Sequence, residues 1–208
     1  MTNKRRLVVG VTGASGAIYG IRFIRQALRH FDDVFVMLSA QALQVAETEM
    51  DIKPNERSYI EALNCPSEGA QLHLLSRKDY YSPPASGSFL HDGMVIVPCS
   101  MGTAGRIANG ISDDLLTRSA DVCLKERRKL VLVVREMPWN LIQLRNLTQL
   151  TEAGAIVMPA SPSFYSNPKS IDDLADTVVA RILQQLGVNH QLVPEWQFED
   201  PLQDDENR

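Results

Sequence analysis

Short runs of β-branched and other apolar residues recur along the chain, at residues 7–11, 34–38, 94–97, 130–134 and 155–158. The runs are continuous rather than alternating, so each predicts a strand buried on both faces, as in a parallel sheet covered by helices. Between them the apolar positions take helical spacing. Residues 18–28 place Ile21, Ile24, Ala27 and Leu28 on one stripe, and residues 113–127 do the same with Leu116, Ala120, Val122 and Leu124. Residues 40–49, 141–153 and 171–186 are further predicted helices, the last opening on Ser170-Ile-Asp-Asp173, a capping box with Asp in place of Glu. Strands alternating with helices predict a doubly wound α/β fold with a mostly parallel sheet, Rossmann-like or flavodoxin-like, because parallel neighbours need crossover connections.

Composition narrows the class. A chain of 208 residues suits one domain with a sizeable core. That domain is expected to span residues 1–208, with its core at about 5–196 and a frayed acidic end at 199–208. The Pro/Gly/Ser stretch at residues 82–88 reads as an irregular loop. A formal charge of −4 argues against a nucleic-acid surface. Cys65, Cys99 and Cys123 form no C-x-x-C pair, which fits a reducing cytosol and offers no zinc ligand set. His30, His73, His91 and His190 are dispersed, so no metal centre is expected. The basic start, Met1 to Arg6, leads into an apolar run that breaks at Gly10, Thr12 and Gly13, which reads as strand and turn rather than a leader. A cytoplasmic protein without membrane spans is expected.

In open α/β sheets, ligands collect at the carboxyl ends of the strands. After the first predicted strand comes Thr12-Gly-Ala-Ser-Gly-Ala17, opening a helix. Small residues let backbone approach an anion, and a helix start offers free N–H groups. The segment is neither G-x-G-x-x-G nor a Walker A sequence, and a tight turn without a ligand remains an equal reading. Ser39, after the second strand, is a helix cap or a ligand hydroxyl. Pro98-Cys-Ser-Met-Gly-Thr-Ala-Gly105 repeats the pattern of small hydroxylated residues at a helix start. Two such turns opening on one crevice fit a mononucleotide. Arg135-Glu136 follows a buried strand and offers a phosphate ligand and a proton-moving carboxylate, or else a structural ion pair. Tyr165 lies in a rigid loop after the last strand, and the cations of Lys125-Glu-Arg-Arg-Lys129 complement a helix dipole, with room for one to face the crevice.

Together these segments resemble the flavin prenyltransferases of the UbiX type, within the homo-oligomeric flavin-containing Cys decarboxylase superfamily. The resemblance rests on Val11-Thr-Gly-Ala-Ser-Gly-Ala17, Pro84-Ala-Ser-Gly-Ser88, Pro98-Cys-Ser-Met-Gly-Thr103, Ala120-Asp-Val-Cys-Leu-Lys-Glu-Arg-Arg128 and Leu130-Val-Leu-Val-Val-Arg-Glu-Met-Pro138. It implies that reduced FMN is held by Gly13, Ala14, Ser15, Ser39, Ser100, Met101, Gly102, Thr103 and Arg135. It implies dimethylallyl phosphate as second substrate, bound by Lys125, Arg135, Tyr165 and Arg181, some of them from neighbouring subunits. Ser15, Glu49, Lys125, Glu136 and Trp196 would form the catalytic set, and the Ser86-Gly-Ser88 loop would reach a flavin across an interface. The family pattern further implies a metal-independent transfer to flavin N5 and C6, a dodecamer, and a product passed to a UbiD-type decarboxylase.

The sequence departs from that pattern at Thr103-Ala-Gly105, which is smaller than the usual T-L-A, and at Asp113-Asp114, which replaces a D-N pair. The chain also lacks the D-D-x-x-D of magnesium-dependent prenyltransferases; capping explains its own Asp113-Asp114 and Asp172-Asp173 pairs. Two competing readings are an FMN-dependent decarboxylase of a cysteine-containing substrate and a non-catalytic flavin carrier. The first lacks its P-x-M-N-x-x-M-W segment here, and the second leaves Lys125, Arg135, Glu136, Tyr165 and Arg181 without a shared purpose.

Overall fold

A computed structural model describes residues 4–64 and 70–194. In chain order the elements are β1 (Arg6–Val11), α1 (Ala17–His30), β2 (Asp33–Leu38), α2 (Ala40–Met50), α3 (Glu56–Ala62), β3 (Gln71–Leu74), β4 (Gly93–Cys99), α4 (Met101–Ala108), α5 (Leu115–Lys125), β5 (Leu130–Val134), α6 (Leu141–Glu152), β6 (Ile156–Pro159) and α7 (Ile171–Gln185). The strands form one six-stranded sheet in the order β3-β2-β1-β4-β5-β6. Every pairing is parallel, so the doubly wound α/β expectation holds.

Strand geometry explains the continuous apolar runs. Leu7, Val9 and Val11 point to one face, where they pack with Phe23 and Ile24 of α1 and Val179 and Ile182 of α7. Val8 points to the other, packing with Met94, Ile96, Leu115 and Leu116. With helices on both faces, every position of β1, β2, β4 and β5 after the opening Arg6 and Asp33 is buried, and alternation disappears. β6 departs from this expectation: Ile156, Val157 and Met158 are only half-buried, because it closes the edge of the sheet.

The pattern did not foretell β3 or α3. β3 is a four-residue edge strand without a fully buried position, and α3 buries only Tyr59. α4 was legible only as a helix start, since Gly102, Thr103, Ala104 and Gly105 give it no large apolar stripe. Residues 82–88 include a single 3-10 turn at Pro83–Ala85. The Ser170 capping box forms as expected, with Asp173 as its third helical residue.

The chain reverses its direction of winding between β1 and β4. Thr12 stitches that junction: its backbone N–H and its hydroxyl donate to the Pro98 carbonyl at 3.2 and 2.9 Å, and its Oγ1 accepts from the Ser100 N–H at 2.8 Å. A crevice opens there at the strand ends, where the fold class puts its ligands.

Candidate functional site

The carboxyl ends of β1, β2 and β4 and the amino ends of α2 and α4 enclose a cavity of about 560 Å³. Its size falls in the range of small-molecule sites. Of the residues expected to hold a flavin, Gly13, Ser39, Ser100, Gly102 and Thr103 line it. Ala14 and Met101 are buried beside it, at 7% and 6% exposure, so they offer backbone rather than side chain. Thr12, Gln41, Arg77 and Arg106 complete the lining and were not singled out in the sequence.

Local geometry sets the chemistry of the walls. Ser39 caps α2 by accepting the Ala42 N–H at 2.9 Å, so the cap reading is correct and the side chain also borders the cavity. Ser100 caps α4 through the Thr103 N–H at 3.3 Å and shares a 3.0 Å hydroxyl contact with Thr103. Helix geometry leaves the first N–H groups of both helices without intrahelical partners. Gly13 is needed for close approach, because a Cβ there would collide with the Gln41 side chain, whereas a Cβ on Gly102 would meet nothing within 4 Å. A hydroxyl-rich, open-topped cradle with helix starts at its base fits a flavin mononucleotide.

The amino end of α1 differs from the sequence expectation of a free anion site. The Glu49 carboxylate occupies it, accepting the Gly16 N–H at 2.9 and 3.1 Å and the Ala17 N–H at 2.8 Å. Gly16 takes a φ of 106°, the left-handed region, with the Tyr19 ring packed directly beside it. Burial pushes the Tyr19 hydroxyl up, while the Arg135 guanidinium pulls it down and the Glu49 carboxylate pushes it up. Tyr19 therefore sits within the electrostatic reach of two expected site residues, Glu49 and Arg135. No sequence signal marked it.

Arg135 and Glu136 emerge exposed after β5, with the Arg135 N–H tied to the Cys99 carbonyl at 3.2 Å. Among the described residues the Glu136 carboxylate accepts a local N–H, that of Met137, at 3.1 Å. Tyr165 is 80% exposed in the loop after β6. The Ser163 N–H in that loop donates to the Thr177 hydroxyl at 3.0 Å, laying the loop against the α7 face that carries Arg181 one turn later. Trp196 lies outside the described residues.

Lys125 stands apart. It ends α5, and the chain then enters the amino end of β5, so it lies at the opposite edge of the sheet from the cavity. It pairs with Glu126 and stands 3.0 Å from where a Cβ on Gly87 would be. Arg128 donates to the Phe89 carbonyl at 2.7 Å and also to that of Gly87. Lys125 and the Ser86–Ser88 loop thus form one cluster, roughly 20 Å, a strand's length, from Arg135. None of them is among the residues that line the cavity.

Among the described residues, no group of three or more His, Cys, Asp or Glu could hold a metal ion. No helix among them is long and apolar enough to cross a membrane. Burial pushes both the Cys99 and the Cys123 thiols up to about 12.

The Flavoprotein family model matches residues 1–183. The flavin prenyltransferase UbiX of Thermoplasma acidophilum is 47% identical over 191 residues, covering 92% of this chain and 99% of that protein. Flavin prenyltransferase UbiX of Escherichia coli is 43% identical over 197 residues, covering 93% and 98%. The crystal structure of AnUbiX (PadA1) in complex with FMN and dimethylallyl pyrophosphate superposes with a TM-score of 0.86 at 39% identity, covering 95% of this chain and 100% of that one. A dodecameric FMN-dependent UbiX-like decarboxylase from Escherichia coli O157:H7 gives 0.82 at 39% identity, covering 92% and 99%. The peptidyl-cysteine decarboxylase EpiD, 20% identical with a TM-score of 0.58, shares the fold alone. Near-complete coverage by relatives of one kind, together with a hydroxyl-lined cavity at the winding reversal, places the chain in a single group: it belongs to the flavin prenyltransferase family of the UbiX type.

Proposed function

We propose that this chain, as one catalytic domain, transfers the dimethylallyl group of dimethylallyl phosphate to reduced FMN without a metal. The observation that carries the reading is the cavity itself, where Gly13, Ser39, Ser100 and Thr103 meet and Glu49 is pinned close by. The flavin supplies the nucleophilic atoms, N5 and C6, and the protein supplies binding, orientation and charge.

The chain's residues divide that work. Gly13 to Ser15 and the Ser100 to Thr103 turn hold the nucleotide. Arg135, Tyr165 and Arg181 hold the prenyl phosphate, and charge-assisted hydrogen bonds stabilise the phosphate as its C–O bond breaks. Glu49, fixed at the start of α1 by the Gly16 and Ala17 N–H groups, faces the positive charge that develops on the allyl fragment. Glu136, which forms no ion pair among the described residues, takes the proton released as the new bond forms.

Lys125 and the Ser86–Ser88 loop reach a cavity only from another copy. The apolar side chains around Arg135 and Glu136 support such an assembly: Met137, Leu141, Ile142 and Phe164 are 81%, 61%, 70% and 72% exposed. A closed ring or cage of copies, a dodecamer as in the relative described above, accommodates these heterologous contacts. The product would serve a UbiD-type decarboxylase, and the whole sequence of events would occur in the cytoplasm.

The donor is tested by following the leaving group. Reduced FMN is incubated with dimethylallyl phosphate or dimethylallyl pyrophosphate, and released phosphate and pyrophosphate are measured. Release of one phosphate per flavin consumed, from the monophosphate, supports the reading. Turnover of the pyrophosphate alone overturns the choice of donor.

A further inference from the structure

The cavity wall carries two guanidiniums, Arg77 and Arg106, that none of the flavin-binding expectations includes. Arg106 pairs with Asp113 at 2.8 Å and Asp114 at 3.6 Å, and donates to the Thr103 hydroxyl at 3.3 Å. Arg77 pairs with Asp114. Its Nε is buried and has no hydrogen-bond partner among the described residues. That Nε faces the protein rather than the cavity, but a guanidinium carries five N–H donors, more than the partners named here take up, and both residues line the cavity wall.

Capping accounts for Asp114 but not for Asp113 or the arginines. Asp114 caps α5, accepting the Thr117 N–H at 2.8 Å, a task that needs no cation. The ion pairs instead restrain both guanidiniums within the cavity lining, Arg106 also against the Thr103 hydroxyl, so little side-chain entropy remains to be lost on binding. They also give the Asp113-Asp114 departure from the family pattern a partner, since Arg106 follows directly on the altered Thr103-Ala-Gly105 turn. Two fixed guanidiniums and the free N–H groups of two helix starts, at Ser39 and Ser100, form a site for a phosphate monoester.

We infer that Arg77 and Arg106 grip the phosphate of FMN and make this cavity select the mononucleotide over riboflavin. The inference rests on the proposed function, because it takes the cavity to hold the flavin. The prenyl phosphate is the other possible monoester, but its expected ligands Tyr165 and Arg181 lie on the loop after β6 and on α7, elements that do not line this cavity.

The test titrates the assembled protein with FMN and with riboflavin, following flavin fluorescence, for the unaltered chain and for R106Q and R77Q. Arg106 is a half-exposed helix residue, so R106Q keeps the fold even if R77Q does not; circular dichroism and assembly size verify this. Each substitution is expected to raise the Kd for FMN about tenfold or more, as loss of a charge-assisted contact does, and to leave that for riboflavin unchanged. Equal weakening of both flavins, or of neither, overturns the inference. So does an unmoved FMN affinity with a weakened affinity for dimethylallyl phosphate in the FMN-saturated protein. If the unaltered chain binds neither flavin, the proposed function itself fails; if it prefers FMN and the variants keep that preference, only the role of the arginines fails.

Discussion

Both carboxylate oxygens of Glu49 lie within hydrogen-bond distance of the Gly16 backbone nitrogen, at 2.9 and 3.1 Å, across 33 residues of sequence. The contact ties the end of α2 to the start of α1 and sets a negative charge on the dipole end that favours it. One side chain therefore closes a helix and, in the proposed reaction, also supplies fixed charge.

Those two roles separate by substitution. Glu49→Ala removes the cap and should cost about 1 kcal/mol of stability, a fall in Tm of about 2–4 °C for a domain of this size. Glu49→Gln keeps an acceptor for the Gly16 and Ala17 N–H groups but loses the charge. It should retain most of the thermal stability while losing turnover, read by differential scanning fluorimetry beside a prenylation assay.

The position of Lys125 predicts complementation between copies. Lys125→Ala and Glu136→Gln should each assemble and bind FMN, and each should lose turnover, the second by a factor on the order of 10² or more. Dissociated and reassembled together, they should regain turnover in sites that combine Lys125 from one copy with Glu136 from another. Mixed assemblies as inactive as the separate variants would contradict a shared site.

Tyr165→Phe and Arg181→Gln should raise the KM for dimethylallyl phosphate and spare flavin affinity. Steady-state kinetics at saturating FMN, with a parallel flavin titration, read the two effects apart. Loss of flavin affinity as well would move these residues from substrate binding to the fold.

Asp33 is held below the usual carboxylate range by its 2.8 Å contact with His73 and by Lys4 and Arg6, against the opposing effect of burial. A depressed carboxylate adds stability that is fully present above its unfolded pKa of about 3.9 and fades as pH falls through the lower folded value. Asp33→Asn should therefore weaken the protein at neutral pH, with the difference from the unaltered chain shrinking below about pH 4. Denaturant unfolding at a series of pH values checks the sign.

Cys99 and Cys123, with thiols pushed up to about 12 by burial, should remain unlabelled by a thiol reagent at pH 8 in the native protein and react on unfolding. Peptide mapping identifies the sites.

Much of this architecture was legible because burial on both faces leaves continuous apolar runs, as in β1, whose alternate residues feed two separate cores. The edge strand β3 was not, since its half-exposed Leu72, His73 and Leu74 carry no such run. Turn chemistry revealed Gly13, Ser39 and Ser100, which lie where strands end. Arg77, inside the polar run Ser76-Arg-Lys-Asp79, reads as an ordinary loop cation, and Arg106 as a helix surface residue; only the tertiary fold brings them to one wall. The remoteness of Lys125 was available from topology, because a crossover helix before a parallel strand must end at that strand's amino edge.

The most direct test of the central claim is anaerobic incubation of the assembled protein with reduced FMN and dimethylallyl phosphate, followed by mass analysis of the released flavin. The account predicts a flavin heavier by one five-carbon unit, formed only when protein is present. Recovery of unmodified FMN from a folded, assembled, flavin-loaded preparation would contradict it.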